Sequence, residues 1–220
     1  MTRAALLILA DGRFPAGGHA HSGGAEPAVT AGRIRDADDL AGFCRGRLHT
    51  AGLTTAALAA AAALGLDPLA LDDAADARTP SPALRATARK LGRQLMRAAR
   101  HTWPGPELDA LAAARPRGAH QPVVLGLTAR SAGLTPEDAA HCAAYEAVGG
   151  PATAVVRLLS LDPFEATAVL ARLAPDLDRV VEQAVAAARQ GIDALPSASA
   201  PLLDIAAEIH AAQPVRLFAS

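Results

Sequence analysis

Two histidines near the start of the chain, His19 and His21, lie two residues apart within Phe14-Pro15-Ala16-Gly17-Gly18-His19-Ala20-His21-Ser22-Gly23-Gly24-Ala25-Glu26. Neutral imidazole suits nickel, copper and zinc, so the pair is a weak candidate for part of a divalent-metal site. Two such ligands do not make a site, and a third would have to come from elsewhere, for example His49, His120 or His141. A metal carrier or small metal-dependent enzyme of this kind needs its histidines neutral, so binding would weaken below about pH 6.5. The plainer alternative is that one imidazole satisfies loop backbone groups while the other faces solvent. The glycine pairs on either side suggest backbone conformations or close approaches that a side chain would forbid. Ser22 is placed to cap the following helix, and Glu26 falls in its first turns, where a carboxylate suits the helix dipole. A loop so built is a stronger functional lead than any core segment.

Enzyme signatures are missing from the rest of the chain. It has no phosphate-binding P-loop, no nucleophile elbow and no zinc helix of the His-Glu-x-x-His type. Neither glycine pair has dinucleotide-fingerprint spacing. The expectation is a protein without catalytic activity and without a cofactor. Cys44 and Cys142 are far apart in sequence and read as buried reduced thiols rather than a disulfide or zinc framework. The apolar runs Ala4–Ala10 and Ala56–Leu64 are too short for a convincing signal peptide and for a membrane span, respectively. The expected location is the cytoplasm.

The elements that must position these residues are helices. Hydrophobic residues make up 51% of the 220, aromatics only 3%, and alanine and leucine far outnumber β-branched residues. Apolar residues recur at helical spacing over about 4–10, 25–32, 37–64, 67–77, 82–100, 107–114, 121–132, 135–148, 152–160, 163–173 and 176–190. Gly149-Gly150-Pro151 is expected to stop one helix and start the next. Ser81-Pro82 and Thr135-Pro136-Glu137-Asp138 are helix starts. The predicted fold is all-α, one domain over residues 1–220, a bundle of antiparallel helices with short connections. Residues 190–220 read as a flexible spacer followed by an apolar docking tail.

Two further features suggest binding. Arg85, Arg89, Arg93, Arg97 and Arg100 mark one face of the 82–100 helix, and no acid lies between Arg78 and Arg100 to offset them. A formal net charge of -1 and a lone Trp103 argue against nucleic acid. An acidic protein surface is the more economical partner for such a stripe, with a simple solvated face as the alternative. At the C-terminus, Arg216 sits between Val215 and Leu217-Phe218, a composition typical of interface anchors.

These residues resemble the UreF family of urease accessory proteins along almost the whole chain. The resemblance is carried by Leu6–Asp11, Phe14-Pro15, Gly17-Gly18, Ala20-His21-Ser22-Gly23-Gly24 with Glu26, and Arg89–Leu95. It continues in His120–Gly126, Ala154–Leu158, Pro201-Leu202-Leu203-Asp204-Ile205, His210 and Arg216-Leu217-Phe218 with Ser220. The chain departs from the family pattern at His19, Gly149-Gly150-Pro151, Asp162-Pro163, Ala211 and Pro214. The resemblance implies an all-helical, non-catalytic, often dimeric protein that assists nickel insertion into urease. It implies binding to the accessory protein UreD (also called UreH) and recruitment of the GTPase UreG to apo-urease. Pro201–Ser220, with Leu203, Asp204, Ile205, His210, Leu217, Phe218 and Arg216 as anchor, is then expected to meet UreD. The loop residues Phe14, Pro15, Gly17, Gly18, His21, Ser22, Gly23 and Glu26 are expected to meet UreG. Arg89 and Arg93 join the expected partner-binding residues. Neither nucleic acid nor membrane is expected as a partner.

Overall fold

The computed structural model describes residues 3–218, without the side chains of Arg3 and His19; Ser220 lies outside the described residues. Among them there is no strand. The helices are α1 (Arg3–Ala10), α2 (Ala25–Thr30), α3 (Ala37–Arg47), α4 (Leu53–Leu64), α5 (Pro68–Ala77), α6 (Pro82–Thr102), α7 (Pro106–Ala114), α8 (Gln121–Ser131), α9 (Pro136–Leu159), α10 (Pro163–Arg189) and α11 (Pro201–Ala211). The all-α expectation holds. Proline at the first helical position opens α5, α6, α7, α9, α10 and α11, where its missing N–H costs no hydrogen bond. The Ser81 hydroxyl accepts from the Leu84 N–H at 3.1 Å, and Thr135 and Asp138 form a reciprocal capping box.

At the centre lies α4. Its residues from Ala56 to Ala63 are all buried, and it packs against α8, α9 and α10. A helix apolar on every side belongs inside a bundle, and this one is the run that was too short to cross a membrane. Its alanines present only methyl groups, so its neighbours come close. A Cβ added to Gly126 of α8 would stand 2.2 Å from the Ala59 carbonyl oxygen and 2.6 Å from the Ala62 Cβ. Cys44 and Cys142 are buried, and burial pushes both thiols up to about 12, so they are inert reduced thiols.

Several helix boundaries differ from the sequence-based expectation. Gly149-Gly150-Pro151 does not divide a helix: α9 runs through it unbroken. Pro151 cannot donate to the Ala147 carbonyl one turn back, but the Arg47 Nε donates to that oxygen instead, at 2.9 Å. The orphaned acceptor is satisfied from a neighbouring helix, so the proline is tolerated. Likewise the expected pair 163–173 and 176–190 is one helix, α10, with Pro175 inside it. Pro175 and Ala171, whose carbonyl it leaves without a helical donor, are both exposed, and water can supply the bond. The 37–64 helix is continuous but contains a π turn at Leu48–Gly52 between α3 and α4. Residues 201–211, read only as an apolar segment, form α11.

The 190–200 stretch lies along the bundle. Arg78 donates to the carbonyls of Ile192 and Leu195 at 3.1 and 3.2 Å, and Leu195 is buried. Its polar composition had suggested a flexible spacer, but its carbonyls are held from α4 and from the end of α5.

The close α4–α8 contact makes a test. Gly126→Ala is expected to lower stability by roughly 1–3 kcal/mol, because a backbone carbonyl cannot move aside as a side-chain end can. Gly42→Ala in α3, with open space around its Cβ position, is expected to be neutral or slightly stabilising. Equal melting temperatures for wild type and Gly126→Ala would refute the contact.

Candidate functional site: the loop, the tail and the arginine helix

The N-terminal loop is built on helix ends. The Phe14 ring stacks on Trp103 at the end of α6, with centroids 5.7 Å apart, and Pro15 is exposed beside it. Gly17 has φ +81, and its backbone faces the Gln94 side chain of α6; Gly18 opens a 3-10 turn that ends at Ala20. His21 is buried, and desolvation, with a contribution from the Lys90 charge, lowers its pKa to about 4. It is therefore neutral at ordinary pH. Ser22 is buried, and its hydroxyl accepts from the Glu26 N–H at 3.2 Å, although Gly24 rather than Ser22 holds the N-cap position of α2. Gly24 has φ +88 and a Cβ position only 3.1 Å from the Leu203 Cδ2 of α11. A side chain there would be strained by conformation and would press on α11. Gly23, also left-handed, abuts Pro151 of α9.

Glu26 joins the two ends of the chain. Its carboxylate is nearly buried and takes three hydrogen bonds from the C-terminal region: from His210 Nε2 at 2.9 Å, the Leu217 N–H at 2.8 Å and the Phe218 N–H at 3.0 Å. Burial alone would raise its pKa; the two backbone donors and His210 outweigh that and hold it below its ordinary value. Phe218 is buried under the Arg157 guanidinium, 5.2 Å from its ring centroid. Glu208 ties α11 to the start of α6 by accepting from the Ser81 hydroxyl and from the Ala83 N–H at 2.8 Å.

Held this way, α11 turns Ala206 and His210 inward, keeps Leu203 and Asp204 half-buried, and leaves Leu202, Ile205 and Ile209 exposed on one stripe. Val215, Arg216 and Leu217 beyond it are exposed as well. Sequence reading had found the loop and the tail separately. It missed their joining through Glu26 and His210, 184 residues apart, as well as Glu208 and Arg157. The isolated carboxylate at the start of α2 and the histidine in an apolar tail were the only signals available.

Arg89 and Arg93 are placed differently from each other. Arg89 is half-buried and donates to Asp72 at 3.1 Å, to Asp76 at 2.5 Å and to the Gly118 carbonyl at 2.8 Å. Asp72 is fully buried and also takes Arg115 Nε at 2.8 Å and the His120 N–H at 2.7 Å. Burial would raise the Asp76 carboxyl, but bonds from His120 and Arg89 hold it low. Burial also pushes the His120 imidazole down, with Asp76 opposing. The acids that offset this part of the arginine face thus come from α5, distant in sequence. Arg93 is exposed and donates to the Arg117 carbonyl.

The candidate third metal ligands do not converge with the loop. His49 faces Asp176, His120 faces Asp76, and His141 faces Asp178 and the Glu137 carbonyl. Among the described residues no group of three or more His, Cys, Asp or Glu could hold a metal ion, and no helix is long and apolar enough to cross a membrane.

Fold and site together define an all-helical protein whose first quarter clamps its own C-terminal tail. Residues 34–174 match the family model UreF. Over its full length the chain is 44% identical to the urease accessory protein UreF of Mycobacterium sp. (strain JLS), an alignment covering 100% of this chain and 99% of that protein. It is 42% identical to the protein of the same description in Mycolicibacterium vanbaalenii, covering 99% and 98%, and 43% identical to that of Mycobacterium marinum, covering 100% and 99%. The chain belongs to the UreF family of urease accessory proteins, as the residue-level resemblance implied.

The tail clamp titrates in a defined direction. Because the folded-state pKa of Glu26 is depressed, its contribution is complete above the ordinary carboxylate value of ~4.3 and is lost as pH falls through the folded value. Amide exchange at Leu217 and Phe218 is therefore expected to stay protected from neutral pH to about 5 and to lose its protection on further acidification. Glu26→Gln should remove about 1.5–3 kcal/mol of local protection at neutral pH, making those amides exchange roughly 10- to 150-fold faster. Unchanged exchange in that variant would show that the carboxylate does not hold the tail.

Proposed function

We propose that this chain is a non-catalytic scaffold for nickel insertion into urease in the cytoplasm, working through binding energy alone. In this reading it binds UreD (UreH) through residues 201–220 and recruits the GTPase UreG to apo-urease, as a homodimer, with nickel as cargo of the assembly. The observation that carries the reading is the clamped tail. Glu26, Glu208 and Phe218 fasten residues 201–218 to the bundle, yet Leu202, Ile205, Ile209, Val215 and Leu217 are left in water. Anchoring an apolar stripe before a partner arrives lowers the ordering cost of association. Arg216, exposed beside Leu217, supplies the directional contact. The loop offers its exposed crest, Pro15, Gly18 and Ala20, as the second contact, for UreG.

Pull-down of UreD by the full chain, by a chain ending at Gln190, and by the full-length double variant Ile205→Asp/Ile209→Asp tests the reading. Both changed residues are exposed, so the double variant should keep the wild-type circular dichroism and melting temperature. Recovery is expected to fall at least tenfold for the truncated chain and for the double variant. Equal recovery by all three would overturn it.

A further inference from the structure

The second half of α6 borders a pocket of about 290 Å³ that the tail does not touch. Arg93, Arg97 and Arg100, at helical spacing on α6, line it with Arg115 from the segment after α7, and no acidic residue lines it. Its remaining walls are apolar or backbone, chiefly Met96, Ala112 and Pro116. Two of the guanidiniums are ion-paired, and that of Arg93 donates to the Arg117 carbonyl. Arg100 Nε meets Asp109 at 2.6 Å, and Arg115 meets Asp72 at 2.8 Å and Asp73 at 2.7 Å. The Arg97 side chain has no hydrogen bond or ion pair among the described residues. The adjacent Arg117 is exposed, and its side chain makes none either. Five guanidiniums thus gather near three carboxylates, one of which, Asp72, is shared with Arg89.

We propose that this pocket receives an acidic segment of a partner protein, with a Glu or Asp carboxylate set among Arg97, Arg100 and Arg115 and a neighbouring apolar side chain lying on Met96. Guanidinium forks match carboxylates in two-bond geometry. The apolar walls favour a peptide over a free phosphate, because they offer a small, fully charged anion neither donors nor water, whereas methylenes and an apolar neighbour cover them. The tail reading is not needed for this. Glu208 of α11 meets Ala83 near the start of α6, and residues 83 to 97 span about 20 Å of helix.

Fluorescence anisotropy with the full chain and a labelled acidic hexapeptide of Glu and Leu tests it. Wild type is expected to bind the peptide and not its Gln-for-Glu counterpart, and binding should weaken as salt is raised from about 0.05 to about 0.5 M. Arg97→Gln, at an exposed residue with no structural bond, should weaken binding about tenfold while melting unchanged; Arg172→Gln, on α10, should bind as wild type. No binding by wild type, or equal binding by Arg97→Gln, would overturn the proposal. Pyrophosphate displacing the peptide at equal concentration would overturn it in favour of a small-anion site. The chain ending at Gln190 is not used, so this outcome and that of the UreD pull-down are read separately.

Discussion

A helix built largely of alanine sits in the middle of this bundle, and the rest of the packing follows from it. The methyl groups of α4 bury little area each, so cohesion requires many close contacts rather than a few large ones. Backbones must approach, and wherever they do a Cβ becomes an obstacle: Gly126 lies against the Ala59 carbonyl, and Gly52 lies 3.3 Å, by its missing Cβ, from Ala147 of α9. Since α9 also packs along α4, it has reason to continue where Gly149-Gly150-Pro151 invites a break. The Arg47 bond to the Ala147 carbonyl replaces the one hydrogen bond the proline removes.

On that frame the chain's two ends meet at one carboxylate. Glu26 is fixed at the start of α2 by a loop whose left-handed glycines let it fit under α9 and α11, and its oxygens are filled by donors from the tail. A buried carboxylate without those donors would be costly, so loop conformation and tail position specify each other. The consequence for a UreF-family protein is that the apolar stripe of α11 is presented at a set orientation rather than on a loose end.

The arginine helix shows where sequence reading reached its limit. From the sequence, a face with no acid between Arg78 and Arg100 looks uniformly free. In three dimensions it divides: α5 and α7 supply Asp72, Asp76 and Asp109 to Arg89 and Arg100, while Arg97 keeps an unengaged charge. Charge compensation acts through space, and the compensating acids here lie 9 to 17 residues away on other helices. The two histidines of the loop were legible as unusual, but the burial that holds His21 neutral was not.

Composition, helical periodicity, start signals and family motifs were enough, by themselves, to settle the all-α fold, the existence of nearly every helix and the family. These are local or cumulative properties, encoded in neighbouring residues and in motifs. The tertiary structure alone decided that Pro151 and Pro175 lie inside helices, that the 190–200 stretch is tied to the bundle through Arg78 and Leu195, and which arginines are paired. It alone brought Glu26 to His210 and Phe218. Apart from Pro175, whose freed carbonyl faces water, each of those outcomes depends on a donor or acceptor supplied by another element of the fold, and local spacing carries no record of such a meeting.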